Sequence, residues 1–236
     1  MCLGAERGGD RLMKRWLIPW TLLFLVSTLA TRVAAKDVEL QGKTLISQKP
    51  PFTMSLPSEF RLVHSFTQDN PGASSQTRGY LLIRTKGKEA EEMFILQISD
   101  RTNPQAEPIT APPLKPYTGK RMYLHERSKK GGDFPLEIMV QLMAWNPDAP
   151  SLGPVVKKGI VIPPHWALQG QCLYLHPPDH AVLIRYSRDV NSLGVKVSEK
   201  GDSWNRDTLA GNEKKAYETF RKTFVEMVDS LSIKSR

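Results

Sequence analysis

Apolar and polar residues alternate with a period of two along much of the chain after residue 43, the pattern of strands that bury one face. Segments 44–47, 52–56, 80–84, 93–99, 120–126, 136–145, 171–176 and 181–187 carry it. The spacers 85–92, 127–133 and 177–180 are of hairpin length, so neighbouring strands should run antiparallel. Near the C-terminal end the period changes. Between Asn212 and Ser230, and just beyond, Tyr217, Phe220, Phe224, Met227, Val228 and Leu231 recur at steps of 3, 4, 3, 1 and 3, which puts them on one helix face that must be buried. Glu218 and Lys222 form an i,i+4 pair on the other side, and Gly211-Asn212 supplies a start signal. A second, shorter helix is expected from Ser203 toward Ala210. The expected fold is α+β, a mainly antiparallel β-sheet with a C-terminal amphipathic helix packed on one face.

Two stretches break the alternation. Residues 103–116 hold five prolines and residues 146–154 hold three, and the missing donors and fixed φ keep both out of a sheet interior. They are expected to be long ordered loops, either surface spacers or a recognition edge carried by a rigid scaffold.

The N-terminal end follows another pattern. Residues 16–30 (WLIPWTLLFLVSTLA) form an apolar run of 15 behind Lys14-Arg15, and small side chains follow at Val33 and Ala35. This is the build of a secretory signal peptide cut after Ala35. A membrane anchor needs about 20 apolar residues, and here Arg32 closes the run. Met13 is the more typical start for such a signal, so residues 1–12 are read as outside the natural leader. Residues 36–236 are expected to form a single α+β domain, exported to the periplasm or beyond and membrane-associated only if the signal stays uncut.

The full chain of 236 residues carries a net charge of +9, and removal of residues 1–35 leaves a body at +6. Such a balance can favour an anionic surface or an acidic partner. No nucleic-acid module is visible, and export makes nucleic acid an unexpected partner. The 40% hydrophobic content is that of a globular protein, and two cysteines exclude a disulfide-stapled scaffold or a four-cysteine zinc site. Cys172 is the one cysteine beyond the leader and reads as a small buried hydrophobe.

The run Pro51-Phe52-Thr53-Met54-Ser55-Leu56-Pro57-Ser58-Glu59-Phe60 resembles the opening strand of PsbP/DcrB-like α/β proteins. The stretch from Phe220 through Phe224 to Ser230-Leu231-Ser232-Ile233 is similar to the last helix and tail of that family. The resemblance implies an antiparallel sheet flanked by helices, in a superfamily made mostly of non-catalytic adaptors, assembly factors and envelope proteins, and it transfers no active site. Phe60 stands where a Trp is common, and the two proline-rich stretches are further departures, so a different α+β or β-rich fold stays open.

Candidate chemistry gathers at His176-Pro177-Pro178-Asp179-His180, between two expected strands. A hairpin there brings two imidazoles together with a carboxylate between them, a minimal zinc or copper set. The plainer reading is Pro-Pro-Asp turn chemistry with two rim histidines. Cys172 and His176, four apart on a strand, would stand about 13 Å from each other, too far for a nucleophile and its base. Lys129-Lys130 before Gly131-Gly132 marks a basic hairpin tip able to meet an anion, and Trp166 is either a core residue or an exposed anchor for a partner. No nucleophile elbow, phosphate loop or dinucleotide fingerprint is present. The sequence therefore points to an exported non-catalytic binding or assembly module of the bacterial envelope, without a cofactor, holding an envelope protein or an anionic ligand. The alternative is an exported enzyme or metal-binding protein that uses His176, Asp179 and His180. Oligomeric state is not encoded in any of these patterns.

Overall fold

The alternating segments pair into two antiparallel sheets. The computed structural model describes residues 37–110, 114, 122–123, 129–131, 134–176, 179–197, 204 and 209–233, with backbone alone at 122–123, 129–131, 134–136 and 150. The smaller sheet joins Val38–Gln41 (β1), Thr44–Gln48 (β2), Pro51–Ser55 (β3) and Ser232–Ile233 (β12) in the order β1-β2-β3-β12. The larger sheet contains Arg61–Asn70 (β4), Ser75–Lys86 (β5), Glu89–Arg101 (β6), Met122–Tyr123 (β7), Lys129–Gly131 (β8), Phe134–Ala144 (β9), Trp166–His176 (β10) and His180–Asp189 (β11). Its order is β4-β5-β6-β11-β10-β9-β7, with β8 folded back on β9. A short helix, Gly153–Val156 (α1), and a long one, Gly211–Asp229 (α2), complete the described elements.

Register sorts the large sheet into two faces. One row across five strands reads Leu82, Phe94, Tyr186, Gly170 and Val140. The helix α2 lies over this row, with the ring of Phe220 stacked on Tyr186 at 5.3 Å and the ring of Phe224 seated on Gly170. The small sheet joins the same core through Leu45, Phe52 and Met54, with Leu56 just beyond β3. Glycine is required at position 170, because a Cβ there would stand 2.4 Å from Phe224 Cγ.

The adjacent row faces the other way. It reads His64, Leu81, Ile95, Arg185, Gln171 and Met139. One end of this second face is covered by the excursion between β9 and β10. Trp145, Leu152, Val155, Ile160 and Ile162 pack there on Leu81, Ile83 and Met93. The Trp145 N–H donates to the His165 carbonyl at 2.9 Å and closes the base of the excursion, while Ala90 and Val161 are bonded to tie its far side to the β5–β6 hairpin.

Several boundaries differ from the sequence reading. The helix runs from Gly211 to Asp229, as its period and start signal imply, but among the described residues Lys222 pairs with Glu226 at 3.9 Å, one turn later than the expected Glu218–Lys222 pair. Residues 146–154 are not wholly irregular, since a 3-10 turn at Pro150–Leu152 runs into α1, where Pro154 occupies the first turn, a position that needs no donor. The N-terminal apolar segment and most of the helix expected over 203–210 lie outside the described residues. Among the described residues no helix is long and apolar enough to cross a membrane.

Candidate functional site

The β10–β11 hairpin does bring the two histidines of the sequence motif together. His176 and His180 face each other in register, with ring centroids 5.8 Å apart and planes inclined by 18°. Their surroundings direct them elsewhere than to a shared ion. His180 Nδ1 meets Asp100 Oδ1 at 2.7 Å, and Asp100 in turn accepts from Arg78 Nε at 2.8 Å. Arg78 also donates to Asp37 at 2.5 Å and to the Lys49 carbonyl at 2.6 Å, so this buried network pins the start of the small sheet to the large one. His176 is held by the Tyr174 hydroxyl at 3.2 Å. Asp179 turns away, its Oδ1 accepting from Arg101 Nε at 3.1 Å and Nη2 at 2.8 Å. Among the described residues no group of three or more His, Cys, Asp and Glu side chains forms a metal set.

The other sequence candidates stand apart from this hairpin. Trp166 opens β10 half-buried and packed against the main core. Lys129 and Lys130 lie on strand β8, paired with Leu136 and Pro135, inside the stretch expected to be a turn-forming spacer, and their side chains fall outside the described residues. Cys172 is fully buried, in keeping with a hydrophobic role.

The second face of the large sheet carries a site that the motifs did not mark. A cavity of about 600 Å³ opens between the sheet and the proline-rich segment that includes Asn146, Ala149, Ser151 and Leu152. This is within the range of about 300–1,000 Å³ typical of small-molecule sites. Leu81 and Ile95 form its floor, Phe66, Met93, Met143 and Trp145 its apolar walls, and Arg185, Gln97, Gln169 and Ser187 its polar side. Phe66 can lie over β5 because Gly79 has no side chain, since a Cβ there would come 2.2 Å from the ring. A second cavity of about 560 Å³ begins where the first ends, sharing Gln97, and is walled by Ala106 to Thr110 of the other proline-rich segment. That segment is fastened by Arg101, whose Nη1 donates to the Ala106 carbonyl at 3.0 Å.

The polar side of the first cavity is ordered before any ligand arrives. Gln141 and Gln171 both donate to Gln169 Oε1, at 2.8 and 2.9 Å, and Gln169 donates to Ser187 at 3.1 Å. Arg185 is half-buried, and its one hydrogen bond among the described residues runs from Nη1 to Gln97 Oε1 at 2.6 Å. Among the described residues nothing forms an ion pair with it and no carboxylate lines the cavity. Arg185 Nε and Trp145 Nε1 are buried donors with no acceptor among the described residues. At the far wall, burial and then the Lys158 cation hold His64 below the ordinary histidine pKa, so its imidazole is neutral at pH 7.

Beyond its bond to Gln97 the Arg185 guanidinium keeps further N–H donors and has no counter-charge among the described residues, which suits this wall to an anion or another acceptor. Position in the sheet alone gives this site its chemistry. In the sequence, Gln97, Gln169 and Arg185 are merely the polar phase of alternating strands. Compared with known protein families, characterised proteins and solved structures, the chain matches none.

Proposed function

We propose that this protein is an exported, non-catalytic binding module that holds an anionic ligand in the cavity on the second face of its large sheet. The observation that carries the reading is Arg185, a half-buried guanidinium with no carboxylate beside it among the described residues, in a cavity lined by amides, hydroxyls and apolar side chains. A guanidinium that spends one donor on an amide keeps the rest of its planar fork for a carboxylate or other anion. Both proline-rich segments border cavities on this face, which fits loops that frame a ligand on a rigid scaffold. The ion pair of Asp179 with Arg101 and the contact of His180 with Asp100 speak for a structural role of the histidine hairpin, so the enzymatic alternative gains no support from it.

Export rests on the apolar run at 16–30, the basic residues before it and the small residues at 33 and 35. The test is mass spectrometry of protein recovered from its native host. Under denaturing conditions the chain should begin at Lys36, and under native conditions it should carry the mass of a bound small molecule. An Ile95→Trp variant, which fills the cavity floor, should lose that extra mass while melting cooperatively. Recovery of the chain with residues 16–30 in place would overturn secretion, and absence of any bound mass would overturn the binding reading.

A further inference from the structure

We infer that the ligand of the Arg185 cavity is a lipid-like monocarboxylic acid, with its carboxylate on the guanidinium of Arg185 and its apolar chain laid across Ile95 and Leu81 toward Phe66. This rests on the binding-module reading and specifies its chemistry. The head group follows from charge. Among the described residues the cavity lining contributes one cation and no carboxylate, and His64, its other titratable group, is held below the ordinary histidine pKa by burial and by Lys158 outside the lining. A phosphate dianion would keep an uncompensated charge against a single guanidinium, whereas a carboxylate is neutralised by it and fits its planar fork of donors.

The body of the ligand follows from the floor. From Arg185 on β11 the row crosses Ile95 on β6 and Leu81 on β5 and reaches His64 on β4. Three strand spacings of about 4.8 Å give about 14 Å. That length suits an extended chain of about ten carbons at about 1.3 Å of advance per carbon, given single bonds of about 1.5 Å. Met93 and Met143, unbranched and adaptable, flank this track, as expected where a flexible chain must be accommodated. A sugar or a peptide would need many directed partners along it, yet between Arg185 and His64 the floor offers only aliphatic side chains.

The experiment is calorimetric titration of the full secreted chain, delipidated, with decanoate, decanol and decyl phosphate below their critical micelle concentrations. Decanoate should bind one-to-one and about tenfold to a hundredfold more tightly than decanol, the worth of a charge-assisted hydrogen-bond pair, and more tightly than decyl phosphate. Arg185→Gln should remove the preference for the acid, so that decanoate and decanol bind this variant alike, and Arg185→Lys should restore part of it. Ile95→Trp should abolish binding of all three. Equal binding of decanoate and decanol, preference for the phosphate, or a preference that survives Arg185→Gln would overturn the inference. If these probes fail while native spectra still show a bound mass that Ile95→Trp removes, the monocarboxylate assignment falls and the binding module stands. Absence of both overturns the two together.

Discussion

The ring of Phe224 occupies the place where residue 170 would carry its β-carbon: a Cβ on Gly170 would come 2.4 to 2.6 Å from three atoms of that ring. The helix α2 is thus keyed to the centre of the sheet by one aromatic side chain and one missing methyl group. Phe224→Ala should destabilise the protein by about 3–5 kcal/mol, and Gly170→Ala by about 1–3 kcal/mol through overpacking. The two should not add, because alanine at 224 leaves room for a methyl group at 170. Urea unfolding of both single variants and the double variant measures this. As a reference on the exposed side of the same helix, Lys222→Ala should cost about 0.5 kcal/mol or less.

Arg78 is a second keystone, of opposite chemistry. It is 5% exposed and donates to Asp100, Asp37 and the Lys49 carbonyl. Arg78→Met would leave two carboxylates without their cation and should cost about 3–5 kcal/mol. Restoring charge balance with a further Asp100→Asn change should recover part of that loss. The check is equilibrium denaturation at pH 7 of both variants.

His64 sets a pH dependence of stability. Its pKa in the folded protein lies below the unfolded value of about 6.5, so the unfolded chain binds the proton more readily. The contribution is fully present above about pH 6.5 and is lost as the pH falls below that value toward the folded pKa. Unfolding free energies measured at pH 7.5 and pH 5.5 should therefore fall less in His64→Leu than in the unmodified protein. An equal fall in both proteins would contradict the assignment.

Gly79 predicts a change of cavity shape. An alanine there would drive Phe66 off β5, since its Cβ would lie 2.2 Å from two ring carbons. Because Phe66 walls the cavity, Gly79→Ala should weaken decanoate binding severalfold while leaving the helix side of the protein intact. Titration calorimetry and the amide-exchange protection of α2 read the two effects separately.

The α+β class and most of the larger sheet were legible because one face of each strand is continuously apolar. Tyr80, Leu82, Phe94, Leu96, Val182 and Ile184 announce themselves by period two, and Phe220 and Phe224 by the helical period. Two kinds of feature were hidden. β4 was missed because its second face is only half covered, so that His64, Ser65 and Phe66 read as an irregular polar stretch, and a register shift between Leu62 and His64 breaks the alternation. The first half of β10 was missed because Gln169-Gly170-Gln171 resembles a turn. Its glycine is there for Phe224, and its glutamines bond to one another along β10 and to Gln141 and Ser187 on the neighbouring strands.

The candidate site was hidden for a related reason. The closeness of His176 and His180 follows from a hairpin and could be read locally, whereas their partners could not, since Asp100 is 80 residues from His180 and Arg101 is 78 from Asp179. Arg185 and Gln97 lie 88 residues apart. Only strand order puts β6 beside β11 and gathers these polar positions into one wall. A useful sequence signal would have been polar residues repeated on the same phase of strands whose opposite phase is unbroken core.

The pairing of β12 with β3 also fixes when this protein can finish folding. Ser232 stands opposite Thr53, and the Ser230 hydroxyl accepts from the Ser55 N–H across 175 residues at 2.9 Å. Closing so large a loop is slow, because its entropy is lost before the contact repays it. The small sheet cannot be completed until β12 has reached β3. The last described strand thus acts as a clasp, the contact that shuts the small sheet after the strands it joins are in place.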